Sequence, residues 1–296
     1  MIRRVDRFYV LMIRLSIGLP LFFAVASCGA LPFFQDGRVI ADSIAARNGW
    51  RKVTFDVQTF VITGFYKSGP KHGTTQDLTV YIEGDGRAFI NRRTPSRDPT
   101  PHNPTGLRLA MADPVAPILY LSRPCQYTTQ DTQRECRTAY WTSARFSQTV
   151  VNALNNALTQ AKTLTPFKRL YLTGYSGGGA IAVLLAARRT DVISIITVAG
   201  NLDHRFWTDY HRITPLYDSL NSADSAQKVA HIPQVHFVGG QDTVIPVDVG
   251  YSYLLQMKKT TRSRLIVIPE MGHYQGWPAI WPALLAHYRP DLTKHS

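Results

Sequence analysis

The chain has 296 residues, with 33 Lys and Arg against 20 Asp and Glu, a formal net charge of +13 and three cysteines. Its hydrophobic share of 45% and charged share of 18% are typical of a protein that buries a core, which excludes a disordered chain, a coiled coil and a collagen-like repeat. So few cysteines in a chain of this length exclude a small disulfide-framework fold. The positive charge would suit nucleic acid or an anionic membrane surface, but scattered basic residues are commoner than a binding surface.

The first residues have the pattern of a secretory signal peptide. Four arginines lie within residues 1–14, and an uncharged apolar segment follows at 15–27. A basic start followed by a short apolar segment is typical of such a signal. The 13 residues of this segment are too few for a helix that spans a bilayer, which needs about 20. A retained anchor that begins at Phe8 is the alternative, but Arg14 and Pro20 interrupt that run.

The apolar segment ends in the sequence VASC at residues 25–28, which resembles the lipobox of bacterial lipoproteins. The resemblance implies that Cys28 is lipidated and that Gly29 directs the protein to the outer membrane of a Gram-negative envelope, facing the periplasm. Ordinary cleavage after Ala26 is the alternative. Removing residues 1–27 takes away four Arg and one Asp, which lowers the net charge from +13 to +10. We therefore expect a lipoprotein signal peptide at 1–27, a tether at 28–52 and a folded domain at 53–296.

Short apolar runs alternate with helical stretches along the rest of the chain. The predicted strands lie at residues 53–66, 78–82, 118–121, 170–173, 192–198, 235–238 and 265–268, and the predicted helices at 146–161, 178–188, 247–258 and 278–287. This alternation predicts an α/β fold, in which helices cover both faces of a mostly parallel sheet. Two long segments between these elements, 84–117 and 201–228, are expected to be loops, and long loops in a compact domain are usually functional.

The most informative segment is GYSGG at residues 174–178, which joins a predicted strand to a predicted helix and fits the pattern G-x-S-x-G. A sharp turn between strand and helix would hold Ser176 at strained backbone angles, so the residues two positions before and after it must be small. The same turn would expose the Ser176 hydroxyl and direct the Gly177 N–H toward developing negative charge, as an oxyanion donor. A phosphate-binding loop is the alternative, but the residues of its known motifs are missing.

Two further residues follow predicted strands in the same way: Asp242 comes after 235–238, and His273 comes after 265–268. The carboxyl ends of parallel strands lie at one edge of a sheet, where ligands bind. The order Ser176, Asp242, His273 after these elements resembles the α/β-hydrolase superfamily, over about residues 53–287. The resemblance implies an α/β-hydrolase fold with Ser176 as nucleophile, His273 as base and Asp242 as the acid that orients it. Asp203, which also follows a strand, is the alternative acid.

In this superfamily the second oxyanion donor comes from the loop after the third strand, here EGDG at residues 83–86. We assign it to the Asp85 N–H, with the Gly84 N–H as the alternative. The loop departs from the usual pattern, because Glu83 stands where a histidine is common and Asp85 lies beside it. Two carboxylates would oppose an oxyanion unless they point away or pair with a cation such as Arg87 or Arg123.

The two remaining cysteines, Cys125 and Cys136, lie close together in sequence. In an exported protein they are candidates for a disulfide, and a pair of free buried thiols is the alternative. If Cys28 carries the lipid, the odd cysteine count is explained.

The segments YIEGDG at 81–86, RPCQY at 123–127 and YWTS at 140–143 resemble those of bacterial envelope lipoprotein hydrolases. We therefore predict a serine hydrolase that cleaves a small ester or lipid-like substrate through an acyl-enzyme, with no cofactor. The histidines fit no zinc motif, so we expect no metal. The arginines of segment 84–117 lack interleaved aromatics, so we expect no nucleic-acid partner.

The alternatives to an esterase are an amidase, an acyltransferase, or a non-catalytic lipoprotein that uses the fold as a binding module. The oligomeric state is left open.

Overall fold

A computed structural model describes residues 36–69, 76–258 and 262–293, with side chains described as far as residue 289. Cys28 and the signal-like segment 1–27, on which the prediction of export and lipidation rests, lie outside the described residues. Within the described part, the strands are β1 (Arg51–Asp56), β2 (Val61–Lys67), β3 (Asp77–Ile82), β4 (Ile118–Leu121), β5 (Arg169–Tyr175), β6 (Val192–Val198), β7 (Gln234–Gly239) and β8 (Ser263–Ile268).

These strands form one sheet in the order β1-β2-β4-β3-β5-β6-β7-β8. β2 pairs antiparallel with both β1 and β4, and every other neighbouring pair is parallel. The prediction of a mostly parallel sheet is therefore confirmed. The run 53–66, predicted as one strand, is divided by a turn into β1 and β2; the Val57 N–H donates to the Phe60 carbonyl at 3.0 Å, and Gln58 adopts a φ of 68°.

Helices cover both faces of this sheet, as predicted. They are α1 (Gly37–Arg47), α2 (Thr105–Ala112), α3 (Gln148–Gln160), α4 (Gly177–Ala186), α5 (His204–Tyr210), α6 (Ala226–Val229), α7 (Val247–Leu255) and α8 (Trp277–Thr293). One core packs α3, α4, α6 and α7 against the sheet, and a second core packs α1, α2 and α8 against the opposite face. In β3, Leu78 and Val80 belong to the first core and Tyr81 to the second, because successive side chains of a strand point to opposite faces.

The structure differs from the sequence-based expectation in where the folded part begins. Segment 28–52, expected to be a tether, contains α1, which starts after Asp36; the Asp36 carboxylate accepts from the Arg38 N–H at the helix N-terminus, 2.9 Å away. Ala41 and Ala45 on this helix are buried. The domain therefore includes α1 and begins before residue 53. Alanine favours a helix but marks a buried face only weakly, which is why the pattern was missed.

None of the helices in the described part of the chain combines the length and the apolar character that a membrane span requires.

A buried histidine in the sheet makes the stability of this fold sensitive to acid. His236 in β7 is fully buried; its Nδ1 lies 2.9 Å from Thr197 Oγ1, and its Nε2 has no hydrogen-bond partner among the described residues. Burial lowers the pKa of His236 from 6.5 to about 3. The folded protein therefore keeps this imidazole neutral under conditions in which the unfolded chain protonates it.

Above pH 6.5, both the folded and the unfolded chain keep His236 neutral, and its contribution to the free energy of unfolding is complete. We expect the free energy of unfolding to fall as the pH drops from 6.5 toward 3. The loss from this one group is about 1.4 kcal/mol per pH unit, because only the unfolded state takes up the proton. His236→Gln should show a shallower acid dependence in urea unfolding between pH 7 and pH 4. The exposed His287 provides the control: His287→Gln should keep the wild-type slope. Equal slopes for His236→Gln and wild type would contradict the prediction.

Candidate active site

The turn between β5 and α4 holds Ser176 in the conformation that the sequence predicts. Ser176 has φ 51° and ψ −122°, a region that costs a residue with a side chain on the order of 1–3 kcal/mol unless its surroundings enforce it. Here the backbone is fixed on both sides: the Ser176 N–H donates to the Val198 carbonyl at 2.9 Å, and the Ser176 carbonyl accepts from the Gly179 N–H at 2.9 Å. The strained turn is thus tied to the neighbouring strand β6 and to the first turn of α4.

The glycines two positions before and after Ser176 are required by close backbone contacts. A Cβ atom on Gly174 would lie 2.2 Å from the Gly178 carbonyl oxygen, and one on Gly178 would lie 2.3 Å from the Ile82 carbonyl oxygen. Both distances are far below van der Waals contact, so any other residue would force the turn apart. The requirement for small residues at these two positions, which the sequence predicts, is confirmed.

The structure brings Ser176, His273 and Asp242 into one hydrogen-bonded chain. His273 Nε2 lies 3.0 Å from Ser176 Oγ, and His273 Nδ1 lies 2.8 Å from Asp242 Oδ2. An ionised carboxylate only accepts hydrogen bonds, so Nδ1 carries the proton and Nε2 is left to accept from the Ser176 hydroxyl. The side chains of His273 and Asp242 are 4% and 0% exposed. The arrangement can therefore withdraw a proton from Ser176 in a site that is largely shielded from water.

The Asp242 carboxylate is held in place by the backbone of its own loop. Its Oδ1 accepts from the N–H groups of Val244 and Ile245, both at 2.8 Å, which leaves Oδ2 directed at His273. The loop of His273 is fixed in turn, because the hydroxyl of Tyr175, next to Ser176, donates to the His273 carbonyl at 2.9 Å. The positions of Asp242, His273 and Ser176 are thus fixed relative to one another.

Asp203, the alternative acid, lies elsewhere and has other partners. It begins α5, where its carboxylate accepts from the Phe206 N–H at 3.2 Å, from Asn221 Nδ2 at 2.8 Å and from Ser252 Oγ at 2.6 Å. Burial would raise the pKa of Asp203, but hydrogen bonds, first those from Ser252 and Asn221, outweigh burial and lower it. The structure therefore places Asp242, and not Asp203, against His273.

The loop after β3 passes close to Ser176 and contains both candidates for the second oxyanion donor, the N–H groups of Gly84 and Asp85. A Cβ atom on Gly84 would lie 3.2 Å from Ser176 Cβ. The Gly84 N–H already donates to Glu83 Oε1 at 2.9 Å, whereas the N–H groups of Asp85 and Gly177 form no hydrogen bond with any described residue. The geometry therefore favours Asp85 over Gly84 as the second donor beside Gly177.

The carboxylate of Glu83 is turned away from Ser176 and into the second core. It is 1% exposed and accepts from the N–H groups of Gly106 and Leu107, at 3.1 and 3.4 Å, and from the Tyr120 hydroxyl at 3.0 Å. Burial raises the pKa of Glu83, although these hydrogen bonds act in the opposite direction. Glu83 thus caps the N-terminus of α2 from a distant position in the sequence.

Asp85 remains at the site and is paired with two arginines. Arg123 Nη1 lies 3.1 Å from Asp85 Oδ1, and Arg145 Nη1 lies 2.7 Å from Asp85 Oδ2. Arg123 is one of the two partners that the sequence suggests, whereas Arg87 is exposed and forms no ion pair with Asp85. Arg145 was missed, because it lies 60 residues away from Asp85 and no motif in the sequence links the two residues.

Cys125 and Cys136 form a disulfide, with their Cα atoms 5.6 Å apart. Its first cysteine stands between two residues that contact the loop after β3. Arg123 pairs with Asp85, and Gln126 Nε2 donates to the Gly84 carbonyl at 3.0 Å. The Gln126 side chain also accepts from the Arg123 N–H, 3.0 Å away. The disulfide-bonded segment therefore supports the loop that carries the candidate oxyanion donor.

Comparisons with known proteins bear on the fold. No family model and no curated protein matches the sequence. Among solved structures, Est1E from Butyrivibrio proteoclasticus superposes with a TM-score of 0.57 at 13% identity, covering 81% of this chain and 98% of its own. An esterase of Pyrococcus furiosus gives 0.57 at 12% identity, covering 81% and 90%. A lidless α/β serine hydrolase from Xanthomonas campestris gives 0.54 at 13% identity, covering 83% and 97%. The protein has the α/β-hydrolase fold.

Proposed function

We propose that the protein is a serine hydrolase that cleaves a carboxylic ester through an acyl-enzyme. The observation that carries this proposal is the hydrogen-bonded chain from Ser176 through His273 to Asp242, with distances of 3.0 and 2.8 Å, at a strained turn. A serine hydroxyl is a weak nucleophile until a neighbouring base takes its proton, and this chain supplies that base in the required tautomer.

In the proposed reaction, Ser176 Oγ attacks the ester carbonyl carbon while His273 Nε2 takes the hydroxyl proton. Negative charge develops on the carbonyl oxygen, and the N–H groups of Gly177 and Asp85 hold it. His273 then gives its proton to the leaving alcohol, and a water molecule, activated by the same imidazole, resolves the acyl-enzyme. Asp242 keeps Nδ1 protonated throughout and stabilises the imidazolium that forms.

Small esters or lipid-like esters are the proposed substrates. The support is the likeness to structures described as an esterase and as an α/β serine hydrolase without a lid.

We also propose that the protein is exported and held at the periplasmic face of the outer membrane through a lipid on Cys28. The sequence of residues 25–28 supports this placement, and so does the Cys125–Cys136 disulfide, since disulfides persist in oxidising compartments. Intact mass of the exported chain tests it: an unacylated Cys28 would contradict the lipid anchor.

A fluorophosphonate probe tests the proposed hydrolase, since it reacts covalently with an activated serine. We expect one label per molecule on wild type, at Ser176, and no label on Ser176→Ala. Hydrolysis of a panel of p-nitrophenyl esters of increasing acyl length should disappear in the same variant. A folded wild-type protein that neither takes the label nor cleaves any of these esters would overturn the proposal in favour of a binding module.

A further inference from the structure

The carboxylate of Asp85 lies against Gly177, whose N–H group is proposed to hold the oxyanion. A Cβ atom on Gly177 would come within 2.1 Å of Asp85 Oδ1, so the carboxylate contacts Gly177 beside the nucleophile. Tyr274, next to His273, experiences the same charge: burial raises the pKa of Tyr274 first, and the negative charges of Asp242 and Asp85 raise it further. Left alone, the Asp85 carboxylate would repel the negative charge that develops on the substrate during attack.

Two buried guanidinium groups outweigh this negative charge, and one of them pairs with each oxygen of Asp85. The Arg123 and Arg145 side chains are 5% and 8% exposed, and that of Asp85 is 16% exposed. Two cations and one anion leave this cluster with a net positive charge. In a partly buried site such charges are screened much less than on an open surface, so the sign of the cluster matters to a neighbouring oxyanion.

Both arginines are fixed by further contacts, so they cannot easily leave Asp85. Arg123 donates its second amino group to the Arg145 carbonyl, and its guanidinium lies 5.4 Å from the ring centre of Phe146. Arg145 Nε donates to the Thr142 carbonyl at 2.7 Å. The pair is therefore a built part of the site and not a mobile surface interaction.

We propose that Arg123 and Arg145 are positioning residues that act on catalysis through Asp85. They hold the loop that presents the Asp85 N–H, and they prevent its carboxylate from opposing the oxyanion. This inference rests on the proposed serine hydrolase. It accounts for the departure of this loop from the usual pattern: the acidic residue is tolerated beside the nucleophile because two distant arginines reverse the local charge.

The test separates charge compensation from simple support of the loop. Arg145→Met leaves Asp85 with one cation, so the cluster loses its positive charge; kcat for an ester should fall at least about tenfold, with KM within about threefold, because the oxyanion forms only after binding. The double variant Asp85→Asn/Arg145→Met carries a net positive charge again through Arg123. It should recover most of the lost kcat. If the arginine only supported the loop, the double variant would be no better than Arg145→Met.

A second buried ion pair, between Arg189 and Asp191, provides a matched control. Arg189 pairs with Asp191 at 2.6 Å, and their side chains are 9% and 17% exposed, close to the values for Arg145 and Asp85. Arg189→Met should lower the free energy of unfolding without lowering kcat. Each variant is also titrated with the fluorophosphonate probe, so that kcat refers to folded, active molecules.

The outcomes of this experiment and of the test of the hydrolase itself are distinguishable. A wild-type protein that takes no label and cleaves no ester defeats the proposed function. With a labelled and active wild type, an unchanged kcat in Arg145→Met defeats the role of the arginines. A lowered kcat in Arg145→Met without recovery in the double variant defeats charge compensation, on which the proposal depends, and leaves only support of the loop.

Discussion

Replacing Ser176 with alanine should lower kcat/KM for an ester by about 10⁴- to 10⁶-fold, because the attacking atom is removed and only binding and oxyanion contacts remain. His273→Ala should have an effect of similar size, since without the imidazole the Ser176 hydroxyl keeps its proton. The hydrogen bond of 3.0 Å between the two side chains makes them one functional unit. The double variant should therefore be no slower than either single variant.

Steady-state kinetics of the three variants and of wild type measure this non-additivity. Ser194→Ala is the matched control, because Ser194 is fully buried in β6 and its hydroxyl has no hydrogen-bond partner among the described residues; it should keep wild-type kcat. If the losses of Ser176→Ala and His273→Ala multiply in the double variant, the two residues act independently and the proposed mechanism is wrong.

The geometry of the turn at Ser176 could be foreseen because it depends on neighbours in sequence. The glycines at 174 and 178 are demanded by contacts within the turn and with β3, and the strand before and the helix after leave clear hydrophobic patterns. The same holds for Asp242 and His273, each of which follows a strand that the sequence predicts, β7 and β8. A mostly parallel sheet places the ends of such strands at one edge, so their proximity followed from topology alone.

Helices in the two long segments could not be foreseen, because their stabilising contacts come from distant residues. Helix α2 follows Pro104, whose side chain cannot cap the helix. Two of the first N–H groups of α2 donate instead to the Glu83 carboxylate, which lies 23 and 24 residues earlier in the sequence. Rules that look for a capping residue next to the helix find nothing there. Arg145 was missed for the same reason, since only the folded chain brings it to Asp85.

Replacing the candidate acid Asp242 should also have a large effect on turnover, and comparison with Asp203 decides which of the two acts on His273. Asp242→Asn should lower kcat by about 10⁴-fold while leaving the fold intact, because the variant enforces the wrong histidine tautomer. In the structure, Oδ1 accepts from two backbone N–H groups and Oδ2 faces His273. An asparagine has one acceptor oxygen, which will stay with the two backbone donors and turn the NH₂ group toward His273 Nδ1. Nδ1 must then accept, the proton moves to Nε2, and Nε2 can no longer take the proton of Ser176.

Asp203→Asn is the matched comparison, since it makes the same chemical change in a carboxylate that is also buried and hydrogen-bonded. There the oxygen facing Ser252 can be replaced by an NH₂ group, because the Ser252 hydroxyl, 2.6 Å away, can turn and accept. We expect a small loss of stability, on the order of 1 kcal/mol, and an unchanged kcat. Turnover and urea unfolding measured on both variants decide the assignment: a loss of kcat that is larger in Asp203→Asn than in Asp242→Asn would transfer the role of the acid to Asp203. It would also mean that the 2.8 Å contact between Asp242 and His273 does not set the tautomer of the base.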